Sequence, residues 1–238
     1  MFDSHENRHL SLEIDGRPVP LNVRRHAQAR RLILRLDEKT GGVVVTIPKR
    51  CALQDGVDLA HRKSAWIAAQ LKRRPSPVIF SDGMTLPVMG ESLTVYHDEN
   101  ARGTRQIGDQ LVVSGRVQYL PRRLTDWLKR QARSEFSNRA HDKANRIECR
   151  VSRITVRDTR SRWGSCGADG QLNFSWRLVL APEFVLDYVV AHEVAHLRHR
   201  NHGPKFWALT QSLTDRMVDA KAWLNAHGHD LHRYGKEQ

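Results

Sequence analysis

The run His192-Glu193-Val194-Ala195-His196 sets two imidazoles and a carboxylate at the spacing that metal-assisted hydrolysis needs. On a helix, residues four apart lie about 40° apart around the axis and about 6 Å apart along it, so both rings reach one ion. Zinc sits roughly 2.0–2.1 Å from an imidazole nitrogen, well within that reach. Glu193 falls about 100° round from His192, beside such an ion rather than on it. There it can take a proton from a metal-activated water and pass it to a leaving group. Three fixed positions do recur by chance on amphipathic helices. Here, however, the flanks Tyr188-Val189-Val190-Ala191 and Val194-Ala195 are apolar, so the helix is buried, and a buried His-Glu-His cluster without a partner is costly.

A catalytic zinc takes three protein ligands and keeps a fourth position open. Three sources compete for the third. His202 follows His192 by ten residues, just before Gly203-Pro204, where a turn can swing its ring back toward the metal. His199 shares a helix face with His192, but seven helical residues separate the two by about 10 Å along the axis. A downstream carboxylate is the third option: beyond His196 the only glutamate is Glu237, which leaves Asp215 and Asp219. His202 fits best, and His199 orients a ligand or faces solvent. Tyr188, Arg162 and Arg177 are candidates for contacting the substrate or its transition state. The lone Cys166 reads as a packed small residue, Trp163 and Trp207 as core, and the tail histidines His227, His229 and His232 as a polar segment without a specific site.

The elements that must position these groups are legible in outline. Leu32–Leu36 and Val43–Ile47 flank a turn with paired glycines, which predicts a hairpin that Pro48 ends. Gly56 to Arg73 has helical periodicity, with Pro75 and Pro77 beyond it. Short strands are expected at Thr85–Val88, Leu93–Tyr96 and Gln110–Ser114. Pro121 to about Arg146 forms a long helix, with Leu124, Leu128, Ala132, Phe136, Ala140 and Ala144 on every fourth position. Ile154–Val156 is followed by a tight turn at Gly167–Gly170, then by an alternating strand from Leu172 to Leu180. A second long helix runs from Pro182 to about Arg200, and a last one from Lys205 to Ala226. No internal repeat is visible. The fold class is α+β. Residues 1–118 form a β-rich region with one helix. Residues 119–238 form a catalytic region, its active-site helix beside an antiparallel sheet.

The 238 residues carry 39 Lys and Arg against 26 Asp and Glu, a net charge of +13. That excess favours polyanions such as nucleic acid or nucleotides, unless it is simply a solvated surface. No apolar run is long enough to span a membrane, the first residues are too polar for a secretory signal, and three cysteines make no disulfide frame. A cytoplasmic protein is expected.

Together, Arg157 to Cys166, Trp176-Arg177-Leu178-Val179-Leu180-Ala181-Pro182, His192 to His196 and Asn201-His202-Gly203-Pro204-Lys205-Phe206-Trp207 resemble the YgjP-like metallopeptidase family, a relative of the SprT-like and WLM zinc peptidases. Looser similarity extends to Ala29–Leu32 and Lys63–Ile67. The resemblance implies a zincin-like unit in which His192, His196 and His202 bind zinc and Glu193 is the catalytic acid/base. Gly203 stands where the family often has serine, a change in a turn residue. A zinc metallopeptidase acting on peptides or unfolded protein is the leading expectation. A UTP-type pyrophosphatase is the alternative, with Arg153, Arg157, Arg160, Arg162 and Arg177 to hold phosphates. A nucleic-acid-associated SprT-like protein is a third reading.

Overall fold

The structure, a computed structural model, describes residues 8–37, 40–72, 76–159 and 161–235. Arg73, Pro75, Arg160 and Glu237 therefore lie outside the described residues. The chain divides into two compact units, Met1–Pro75 and Ser76–Gln238. The boundary expected at 118 falls inside the second unit, because the strands before it share a core with the helix after it.

The first unit comprises β1 (Arg8–Ile14), β2 (Arg17–His26), β3 (Ile33–Leu36), β4 (Val43–Pro48), α1 (Leu53–Arg62) and α2 (Ser64–Lys72). Its sheet has the order β1-β2-β4-β3, with β2 and β4 parallel and both outer pairs antiparallel. Asp15 and Gly16, at φ of 50° and 71°, close the β1–β2 hairpin in the left-handed conformation such a two-residue turn demands. Alternation buries Val19, Leu21 and Val23 on β2, with Val43, Val45 and Ile47 on β4. The helices cover that face. A Cβ on Gly56 would come within 2.6 Å of Val23, so glycine lets α1 lie directly on the sheet. The single helix expected over 56–73 is two helices, broken at Lys63.

The second unit begins with β5 (Thr85–Val88), β6 (Glu91–Asp98), β7 (Arg105–Ile107) and β8 (Gln110–Ser114) in the order β5-β6-β8-β7. Here too the outer pairs are antiparallel and the central pair, β6 and β8, is parallel. The two units thus repeat one four-strand topology that is invisible as sequence repetition. Next comes α3 (Leu120–Arg146), whose expected every-fourth-residue stripe is fully buried. A three-stranded sheet follows, built from β9 (Arg153–Arg157), β10 (Gly164–Cys166) and β11 (Gln171–Ser175) in the order β10-β11-β9. The expected antiparallel pairing holds for β10 and β11, whereas β11 and β9 are parallel. The strand expected to reach Leu180 stops at Ser175. Trp176–Leu180 is a 3-10 turn buried on all sides.

The central helix α4 (Glu183–Ala195) is apolar almost all round, as a helix enclosed by protein must be. It packs against α3, β10, α5 (Pro204–Leu213) and α6 (Met217–His227). Arg139 on α3 pairs with Glu183 and Asp187 of α4, and the buried Lys143 ammonium lies 2.9 Å from Asp187 and donates to the Leu213 carbonyl. Phe136 stacks on Phe174 at 4.5 Å, joining α3 to the small sheet. The last helix expected over 205–226 is two, since Thr214 is extended and buried between α5 and α6. The three cysteines are free. Among the described residues, no helix is long and apolar enough to cross a membrane.

Candidate metal centre

The helix expected to run to Arg200 ends at Ala195, so His192 lies in its last turn and His196 caps it. The chain then turns back through 197–203 and re-enters a helix at Pro204, whose fixed φ suits a first helical position. That reversal brings His202 to the other two histidines. Ring centroids are 5.0 Å apart for His192–His196 and His192–His202, and 4.7 Å for His196–His202. Nε2 of His202 lies 3.1 Å from Nε2 of His192. Two nitrogens bound tetrahedrally at about 2.0–2.1 Å stand about 3.3 Å apart, so this edge of the triangle already has a ligand spacing. Among the described residues, these three alone form a set of His, Cys, Asp or Glu groups whose donor atoms all lie within 4.8 Å of one another.

Each ring is held in place. Nδ1 of His196 donates to the His199 carbonyl at 3.0 Å, which leaves Nε2 free to bind. His199 therefore acts through its backbone, and its ring is outside the cluster. Phe206, fully buried in the first turn of α5, touches all three rings at centroid distances of 4.5–4.9 Å. Trp207 stacks on His202 at 5.4 Å and receives the Lys221 ammonium on its ring, so it roofs the site rather than filling the core. Burial, and then the nearby His196 and His202, push the His192 pKa down to about 4, while burial also lowers His196. Neutral imidazoles are what a metal ion requires. Three borderline nitrogen donors at this spacing fit a divalent transition metal.

Glu193 lines the same cavity, of about 360 Å³, with Gly164, Ser165, Cys166, His192, His196, Arg200 and His202. It is 5% exposed, and burial pushes its carboxyl up to about 7 against the pull of Arg162. Gly164 is essential to that placement. A Cβ there would lie 2.6 Å from Glu193 Cγ and Oε1. Arg200 forms another wall, fixed by bonds to the Gly167 and Ala168 carbonyls at 2.8 and 2.9 Å. Cys166 lines the cavity as well, its thiol pushed up by burial. The sequence reading singled out none of Gly164, Ser165 or Arg200 as a site residue. Gly164 and Ser165 lie inside the Arg157–Cys166 run that carries the family resemblance, and Arg200 follows His196 by four residues.

The other candidates lie around this cavity or away from it. Tyr188 is buried with its ring centroid 6.0 Å from that of His192, and burial, followed by the Glu193 charge, pushes its hydroxyl up to about 12. Arg162 is exposed, close enough for its charge to act on Glu193. Arg177 is spent elsewhere: buried, it pairs with Asp158 at 2.7 Å and donates to the Leu231 and Tyr234 carbonyls. Asp219 bonds Arg216, and neither it nor Asp215 joins the cluster. Trp163 stacks on His232 at 4.9 Å, and His227 packs on Trp223 at 5.2 Å, so these tail histidines serve packing.

A buried carboxylate and three converging imidazoles in one cavity equip a protein for metal-dependent hydrolysis. The YgjP-like metallopeptidase domain model matches residues 30–227. The chain belongs to the YgjP-like metallopeptidase family, and its general function is that of a metallohydrolase. No curated protein and no solved structure matches it.

Proposed function

We propose that the protein is a zinc-dependent metallopeptidase in which His192, His196 and His202 hold the ion and Glu193 moves the proton. When bound, zinc supplies Lewis acidity that polarises the scissile carbonyl and allows attack by water at neutral pH. The single observation that carries the reading is Glu193 itself: buried in the cavity wall beside the histidines, held there by the absence of a side chain at Gly164. A carboxyl poised near 7 accepts a proton from water and returns it to a leaving amine with little cost either way. Tyr188, kept neutral, can donate a hydrogen bond, and Arg162 brings positive charge toward developing negative charge on the substrate.

Strand β10 supports a peptide substrate. Among the described residues it pairs only with β11, it is an edge of its sheet, and Gly164, Ser165 and Cys166 line the cavity. An extended chain added to that edge would pass the histidines with its backbone hydrogen-bonded. Among the described arginines that the pyrophosphatase alternative calls on, Arg162 alone acts on Glu193. Arg177 is buried on Asp158, and Arg153 and Arg157 are exposed on β9.

The test is metal content and hydrolysis measured on wild type and Glu193→Gln, using an unfolded-protein panel and a nucleoside triphosphate panel. About one zinc per chain in both proteins, with protein substrates cut by wild type alone, is the expected result. An active Glu193→Gln, or hydrolysis confined to triphosphates, overturns the reading.

A further inference from the structure

The net charge is unevenly divided. Met1–Pro75 holds 15 Lys and Arg against 8 Asp and Glu, a net +7 in 75 residues; Ser76–Gln238 holds 24 against 18, a net +6 in 163. Within the first unit, the helices cover only the face that carries Val19, Leu21, Val23, Val43, Val45 and Ile47. By alternation the opposite face carries Asn22 and Arg24 on β2, Val44 and Thr46 on β4, and Ile33 and Arg35 on β3. Arg24 Nε donates to Thr46 Oγ1 at 3.3 Å, which fixes the arginine along the sheet surface. Arg30 and Arg31 stand exposed in the turn that joins β2 to β3. None of these four arginines is in an ion pair with a described residue. Glu13 on β1 and Asp37, just past β3, are the acids among the described residues along the face.

The second unit supplies an internal comparison. Its first sheet has the same topology, yet its outer face carries Thr85, Thr94, Tyr96, Ile107, Gln110 and Val112, with Arg105 as its cation. Identical architecture with different surface chemistry marks the arginines of the first sheet as a property of that face, not of the fold. We propose that the outer face of the β1-β2-β4-β3 sheet binds the phosphodiester backbone of nucleic acid. Arginine forks match phosphate oxygens, and Asn22 and Thr46 are polar groups suited to the same contacts. Among the described residues the face offers no Phe, Tyr or Trp for stacking on bases, so the binding is sequence-independent and reads charge. The apolar members, Val44 and Ile33, are half-buried between their neighbours rather than protruding, which favours a polyanion over a lipid surface.

The experiment is fluorescence anisotropy of a labelled 20-base-pair DNA duplex titrated with the full chain between 50 and 200 mM salt. Contacts to about four phosphates predict a log–log slope near −3.6 and an affinity loss on the order of 100-fold across that range. The double variant Arg24→Glu/Arg35→Glu should lose at least tenfold at 50 mM salt, with its circular dichroism unchanged. If it fails to fold, Arg24→Gln/Arg35→Gln should still reduce the slope by about 2. A control with the same change in net charge, Arg102→Glu/Arg105→Glu on β7 and the loop before it, should bind as wild type does. Absence of binding at 50 mM salt, or equal losses in the control and the test variant, overturns the proposal. So does partitioning onto phosphatidylserine vesicles without binding to the duplex. The metal centre takes no part in this assay, so its outcome is independent of the peptidase reading.

Discussion

Replacing Glu193 by glutamine should stabilise the metal-free protein, in a way that depends on pH. The carboxyl is 5% exposed and titrates near 7 in the folded chain, against an ordinary value of 4.5 once unfolding returns it to water. Between those limits the folded state keeps a proton that the unfolded state has released. Stability therefore falls as pH rises from about 4.5 to about 7, then levels off, because both states are ionised above that. At 1.36 kcal/mol per pH unit, the full cost of holding the buried carboxylate is about 3 kcal/mol. Glutamine keeps the shape and never ionises. Wild type and Glu193→Gln should match near pH 4.5, and the variant should lead by about 3 kcal/mol at pH 8. Histidine titration is common to both chains and cancels in the difference. Urea unfolding in a chelator, followed by tryptophan fluorescence, measures it. Five of the six tryptophans (Trp127, Trp163, Trp176, Trp207 and Trp223) lie in Ser76–Gln238, so the signal reports the unit that contains the site. A gap between the proteins that does not widen from pH 5 to pH 8 would refute the burial argument.

Gly164→Ala should keep its metal and lose about 100-fold in turnover, because the new methyl pushes Glu193 aside by about 1 Å; metal analysis beside a hydrolysis assay separates the two effects. His202→Ala should lower metal occupancy far more than His199→Ala, since His199 contributes its backbone carbonyl, which alanine retains; the reverse order in a metal titration would contradict the geometry. Phe206→Ala removes the buried ring beneath all three histidines and should cost about 3–5 kcal/mol of stability together with metal affinity, whereas Phe206→Leu should recover most of both. Chemical denaturation with and without metal checks that pair.

The chemistry was legible where it is local. His192, Glu193 and His196 share one helical turn, and Gly203-Pro204 signalled a chain reversal that could return His202. Long-range steric facts were not. Gly164 lies 29 residues before Glu193, and nothing in its own neighbourhood states that a carboxylate will rest against it. Strand patterning identified β5 and β8 because each is a short apolar-rich segment set between glycine-bearing turns. It did not isolate β2, where Pro18 and Pro20 interrupt the outward-facing positions and depress strand character, although Val19, Leu21 and Val23 keep the inward ones. The break between α5 and α6 falls at Thr214, with no glycine or proline to announce it. Trp176–Leu180 read as strand because Trp176, Leu178 and Leu180 continue the alternation of Leu172 and Phe174, whereas the segment is a 3-10 turn buried on every side. Arg177 drew attention as a polar residue in that run. Its partner Asp158 and its carbonyl acceptors lie 19, 54 and 57 residues away.

The order β1-β2-β4-β3 bears on how the chain tolerates shortening. The family match starts at residue 30 and stops at 227, which omits β1 and β2 altogether. A protein trimmed to those limits would leave β4 with one neighbour instead of two. Its Val43, Val45 and Ile47 would border a long unpaired edge, a surface prone to join other copies. At the other end the same trimming would delete the carbonyls of Leu231 and Tyr234 and strand the buried guanidinium of Arg177 with Asp158 alone. The matched span is thus narrower than the span that completes the first sheet and the partners of Arg177, and a chain trimmed to residues 30–227 is expected to expose both.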